Sequence, residues 1–182
     1  MVCWPQVRRR PLEPYSQEEY ILGAKQRVRV LFVCLGNICR SPTAEAVFRH
    51  KASLSGAEIE IDSAGTTSYH SGALPDSRAR AAGEARGYDF GGIQARRIRS
   101  EDFVEFDLIL AADRGNLADL TALCPPEHRH KIKLLLSFST AQELEVPDPY
   151  YDGEQGFEHV LDLIESACDG LLNTIGAQGH RT

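Results

Sequence analysis

The chain has no run approaching the ~18 consecutive apolar residues that a membrane span requires, so none of its 182 residues is expected to sit in a bilayer. The arginines near its start have no apolar stretch behind them, and no secretory signal is expected either. Its five cysteines, at positions 3, 34, 39, 124 and 168, form neither metal-ligand spacing nor an even disulfide framework, which suits a reducing cytoplasm. Excess positive charge is missing as well. Twenty Lys and Arg against 26 Asp and Glu leave a formal charge of −6, which argues against extended nucleic-acid binding. The clusters Arg8-Arg9-Arg10 and Arg96-Arg97-Ile98-Arg99 read as solvated faces or tails. His128 and His130 follow Cys124 without a repeated ligand pattern and beside Arg129 and Lys131, so they read as a solvated turn. No metal and no other cofactor is expected.

What is present fits one domain with a sizeable core plus an appendage. Residues 1–26 carry Pro5, Pro11 and Pro14 among charges and read as an N-terminal extension, mobile in part. Within it Ser16-Gln17-Glu18-Glu19 matches a capping box for a short helix. Residues 27–182 are the domain itself. There, apolar runs at Val28–Val33, Phe106–Ala112 and Lys131–Leu136 and the alternating Ala57–Asp62 read as four strands. Helical patterns fall between and after them, at about Thr43–Ala52, Pro75–Arg86, Ser100–Phe103, Asn116–Leu123 and Gly156–Ile175. This alternation predicts an α/β fold: a single three-layer domain with a four-stranded parallel twisted sheet and helices on both faces.

The chemistry concentrates in Val28-Arg29-Val30-Leu31-Phe32-Val33-Cys34-Leu35-Gly36-Asn37-Ile38-Cys39-Arg40-Ser41-Pro42. A buried strand delivers Cys34 into a turn of five residues, which ends at Arg40 where a helix opens. Such a turn can curl around a tetrahedral oxyanion with its N–H groups inward, Gly36 and Asn37 tolerating the positive φ of the curl. Ser41 reads as the helix cap and Pro42 as its first residue. The helix N-terminus and the Arg40 fork favour an anion, and a cysteine in that setting is held as a thiolate nucleophile. In open parallel sheets ligands bind beyond the carboxyl ends of the strands. Four segments should therefore meet at one rim: the Cys34 loop, the loop holding Tyr69, Asp113, and Val146-Pro147-Asp148-Pro149-Tyr150-Tyr151.

The stretch Val33-Cys34-Leu35-Gly36-Asn37-Ile38-Cys39-Arg40-Ser41-Pro42 resembles the signature loop of the low-molecular-weight protein tyrosine phosphatases, and the resemblance runs from about Arg27 to about Thr174. It implies that Cys34 attacks a phosphoryl group while Arg40 and the amides of Leu35, Gly36, Asn37, Ile38 and Cys39 bind it. Asp148 stands where the family has its general acid, later its base. Ser41 would donate to the thiolate, Tyr69 and Tyr150 would flank a phenyl ring with Tyr151 nearby, and Asp113 and Asn116 would buttress the loop. Cys39 could form a reversible disulfide with Cys34 under peroxide. The implied partners are a phosphotyrosine protein, a tyrosine kinase among the candidates, and phosphate or other oxyanions in the loop. A monomer is expected.

Two departures stand out: Ile93 replaces a histidine that many relatives place two residues before an Ala-Arg pair, and the N-terminal extension is longer than usual. Three other readings compete. Arsenate reductase needs shuttle cysteines, and none lies between Cys39 and Cys124. Protein-arginine phosphatases carry threonine where this chain has the apolar Ile38, which suits a phenyl ring better. A non-catalytic phosphotyrosine-binding module would have no use for both nucleophile and acid.

Overall fold

The structure is a computed structural model that describes residues 27–179. The extension at 1–26, with its capping box, lies outside the described residues. Four strands, β1 (Val28–Cys34), β2 (Ile59–Gly65), β3 (Leu108–Ala111) and β4 (Ile132–Leu134), form one all-parallel sheet in the order β2-β1-β3-β4. Five helices accompany them: α1 (Arg40–Ser55), α2 (Ser77–Ala85), α3 (Ser100–Glu105), α4 (Arg114–Leu123) and α5 (Glu154–Gly179). No described helix is long and apolar enough to cross a membrane.

The three layers follow from the alternation of side chains along a strand. Val30, Phe32 and Cys34 of β1, with Leu110, face one side, where Val47 and Phe48 of α1 and Leu161, Ile164 and Leu171 of α5 cover them. Leu31 and Val33, with Ile109 and Ala111, face the other side against Phe103 of α3 and Leu120 of α4. From Val30 onward both faces of β1 are thus dry, which is why Val30–Cys34 is an unbroken apolar run rather than an alternation.

Most element boundaries shift by a few residues from the sequence reading, and three of the shifts have a visible cause or consequence. β2 runs on through Ser63, Ala64 and Gly65, expected as loop, because β1 offers Phe32, Val33 and Cys34 as partners to those residues. β4 stops at Leu134, short of the expected Leu136, and Leu135–Phe138 tightens into a 3₁₀ turn that buries Leu135 and Leu136 beneath α5. α1 opens at Arg40 rather than near Thr43, so the arginine belongs to the helix's first turn. Arg96 is not simply solvated either: its guanidinium pairs with Asp62 and Asp102 at 2.9 and 2.8 Å.

Candidate active site

β1 ends at Cys34 and α1 begins at Arg40, so the five residues between must reverse. Asn37 makes the reversal with φ 55°, a left-handed conformation its short polar side chain tolerates. Gly36, expected to share that task, does not adopt a positive φ; its small size instead leaves room for the His70 ring, whose Cδ2 would lie 2.9 Å from a Cβ there. Gly65 serves as the floor of the loop. A Cβ on it would approach the Leu35 carbonyl oxygen to 2.8 Å and the Asn37 nitrogen to 3.2 Å.

The Cys34 sulfur accepts a hydrogen bond from the Asn37 N–H at 3.3 Å and lies 3.1 Å from the Ser41 hydroxyl oxygen. Ser41 therefore does not cap α1 as the sequence suggests; the cap position is Cys39, without a side-chain bond, and the Ser41 hydroxyl is turned inward. The Asn37 amide nitrogen donates to Ser41 at 2.8 Å and to Ser63 at 2.9 Å, while its oxygen accepts the Arg96 N–H at 2.9 Å. Ile93, in the position of the missing histidine, is buried in an apolar cluster with Ala46 and Phe90.

Arg40 is 4% exposed, and a buried guanidinium is tolerated only when its donors are matched. Nη1 donates to Asp113 at 2.5 Å and to the Val146 carbonyl at 3.2 Å, and Nη2 donates to Asp148 at 3.0 Å. Asp113 also caps α4 by accepting the Asn116 N–H at 2.7 Å. With its amide nitrogen turned toward Asp113, Asn116 donates to both carboxylate oxygens at 3.1 Å. Asp148 has the extended backbone that a following proline imposes, and its second oxygen accepts the Tyr150 N–H at 3.2 Å. Arg78, at the start of α2, pairs with Asp76, donates to the Tyr150 carbonyl at 3.0 Å and lies 5.4 and 4.8 Å from the rings of Tyr150 and Phe157.

These segments enclose a cleft of about 280 Å³ lined by Cys34, Leu35, Gly36, Ile38, Cys39, Arg40, His70, Asp148, Tyr150 and Tyr151. Its volume suits one aryl group with its oxyanion rather than a larger ligand. Tyr69, expected as one wall, is 81% exposed and is not among the lining residues; His70 takes that wall. Tyr150 and Tyr151 meet edge to face at 5.1 Å, Tyr151 being almost wholly exposed. Burial, followed by the nearby Asp76 charge, pushes the Cys39 thiol up to about 12. A thiol sulfur, a cation with a planar fork and a carboxylate thus share one small cleft, a set able to support phosphoryl transfer to sulfur.

Sequence reasoning missed four residues here. His70, Arg78 and Ser63 reach the loop or its neighbours only through the fold. Glu45 carried a signal, a lone carboxylate inside the apolar run Ala44-Glu45-Ala46-Val47-Phe48, and it is 1% exposed.

Comparison with known proteins gives this geometry a lineage. The sequence profile described as low molecular weight phosphotyrosine protein phosphatase matches residues 29–181. The low molecular weight protein-tyrosine-phosphatase of Streptomyces coelicolor is 44% identical over 156 residues, covering 82% of this chain and 94% of its own. YfkJ of Bacillus subtilis, of the same description, is 42% identical, covering 81% and 96%. A crystal structure of a protein tyrosine phosphatase from Entamoeba histolytica with Hepes in the active site superposes with a TM-score of 0.81 at 44% identity, covering 84% of this chain and 99% of that one. Cysteine loop, parallel sheet and sequence agree along nearly the whole described chain, which belongs to the low molecular weight phosphotyrosine protein phosphatase family.

Proposed function

We propose that the chain hydrolyses phosphotyrosine on proteins through a phosphocysteine intermediate. The observation that carries this reading is the Cys34 sulfur, held by the Asn37 N–H and the Ser41 hydroxyl and facing the cleft that Arg40 and Asp148 line. In the first step the sulfur forms a bond to phosphorus as the bond to the tyrosyl oxygen breaks, and the Asp148 carboxyl gives that oxygen its proton. Arg40 and the loop amides hold the equatorial oxygens where negative charge accumulates. In the second step Asp148, now a carboxylate, takes a proton from water as it attacks phosphorus, and Cys34 leaves as thiolate with the Ser41 hydroxyl donating to it. Asp113 and Asn116 hold Arg40, and Tyr150 lies along the phenyl ring. The apolar Ile38 on the cleft wall favours an aryl group over a guanidinium. Phosphate and vanadate should compete for the loop. Residues 27–182 form the catalytic unit in this reading, with 1–26 appended to it.

The test is phosphate release from a phosphotyrosine peptide, without added metal and under reducing conditions. Intact protein is expected to turn over, and Cys34→Ser is expected to lose turnover while still binding phosphate. Comparable turnover in the variant would remove Cys34 as nucleophile.

A further inference from the structure

A groove of about 790 Å³ runs between α2 and α5 and shares no lining residue with the cleft. Ala81, Ala82 and Ala85 of α2 form one wall, and Phe157, Glu158 and Asp162 of α5 form the other. Both helices start beside the cleft. The Asp76 N–H bonds the Ile38 carbonyl just ahead of α2, and α5 follows the Pro149–Tyr151 turn, so the end at Ala85 and Asp162 is the remote one. Charge at that end is unbalanced. Arg86 pairs with Glu158, Asp162 and Glu165, so three carboxylates share one guanidinium, while Arg78 at the near end is already matched by Asp76. The groove thus combines an apolar floor with a negative remote end.

The same chain carries a segment of complementary character. Residues 1–26 include Trp4, Val7 and Arg8-Arg9-Arg10, and Trp4 is the sole tryptophan of the sequence. Pro5, Pro11 and Pro14 disfavour a helix there, which leaves an extended run to lie along the groove. From Trp4 to Arg9 such a run covers about 16 Å, close to the ~12 Å of helix axis between Ser77 and Ala85 plus the reach of the side chains. The tether is long enough. Residues 11–27 span about 55 Å when extended, and a domain of this size is about 40 Å across. Polarity agrees as well. Val28 lies at the end of β1 away from the Cys34 loop, so a segment leading back from it meets the remote end of the groove first, with the three arginines, and the near end later, with Trp4.

We infer that Trp4–Arg10 of the chain's own N-terminal extension seats in the α2–α5 groove, with Trp4 on Phe157 and the alanines and with Arg8-Arg9-Arg10 on Glu158 and Asp162. The contact needs little intrinsic strength. A tether of this length supplies an effective concentration on the order of 1 mM, so a contact with a dissociation constant of ~0.1 mM is filled about nine times in ten. The inference holds whether or not Cys34 is a nucleophile.

The experiment reads the fluorescence of Trp4 in the full chain, which no other tryptophan obscures. A synthetic peptide of residues 1–14 gives the emission and acrylamide quenching of the free segment. Intact protein is expected to emit to the blue of that peptide and to be quenched less. Ala85→Lys puts bulk and positive charge into the groove at an exposed helix position, and Asp162→Lys reverses a charge on its rim. Each is expected to move emission and quenching to the values of the peptide. Arg8→Glu, Arg9→Glu and Arg10→Glu together are expected to do the same, and they lie outside the domain, so a folding defect in a groove variant leaves the test decisive. Trp4 as accessible in the intact protein as in the peptide would overturn the proposal and leave the groove to a basic segment of another protein. Protection that both groove variants preserve would overturn it too, since Trp4 would then be covered elsewhere. Protection that fades on dilution would place the segment in the groove of a second copy and overturn the intramolecular contact.

Discussion

The two oxygens of Asp148 have different partners. One oxygen rests on Arg40 and the other caps the turn at Pro149–Tyr151, so the fold presents the carboxyl group already fixed at the cleft. In the proposed reaction, phosphate on Arg40 would compete with Asp148 for the guanidinium donor and leave the carboxyl to the leaving oxygen. Asp148→Asn is expected to slow phosphotyrosine turnover by about 10²–10³-fold, and an aryl ester with a very good leaving group far less; steady-state kcat on both esters checks this, and equal losses would exclude the acid role. At this scale Cys34, Arg40 and Asp148 were readable because each sits in a short local pattern, a strand end, a helix start and an Asp-Pro turn. His70 and Ser63 were not, since their relevance depends on how close β2 and its loop pass to Gly36 and Asn37. Tyr69 and His70 are adjacent in sequence, and which of the two lines the cleft depends on the path of the backbone, which side-chain type does not announce.

Among the elements, α5 passes directly against the backbone of the 3₁₀ turn at Leu135–Phe138. A Cβ on Gly170 would lie 1.9 Å from the Phe138 carbonyl oxygen, so the helix can seat there only without a side chain. Helix propensity alone would make Gly170→Ala stabilising by about 1 kcal/mol. The contact reverses the sign: the variant is expected to lose about 2 kcal/mol or more as the backbone shifts, read as a lower urea midpoint, and a gain in stability would show that α5 does not pack this tightly. The same contact explains why β4 ends early. Leu134-Leu135-Leu136 has the composition of a strand, but the chain turns to bury Leu135 and Leu136 under α5. The number and parallel direction of the strands were legible from apolar runs separated by helical patterns; their order in the sheet was not. The extra residues of β2 were not, because Ser63 and Gly65 have weak strand preferences and pair only because β1 lies alongside.

For the whole molecule the buried Glu45 sets a stability gradient with pH. Its carboxyl titrates near 4.5 in the unfolded chain and at about 7 in the folded one, so between those values the folded protein holds a proton that the unfolded chain gives up. Stability contributed by this group therefore falls as pH rises from 4.5 to 7, by about 3 kcal/mol in all. Asp76 acts in the opposite sense. Its hydrogen bond with Arg78 holds its carboxyl below the usual range, and the stability it adds is lost as pH falls through that lowered range. The melting temperature of Glu45→Gln, compared with that of the intact protein, is expected to shift in the variant's favour between pH 5 and pH 8. A difference independent of pH would contradict this assignment. The parallel sheet has one more consequence. β1 starts at Val28 and reaches the loop at Cys34, the last of its seven residues, about 20 Å away along the strand. The chain enters the sheet at the pole opposite the cleft, so a fusion partner or surface tether attached ahead of β1 would leave the mouth facing open solution.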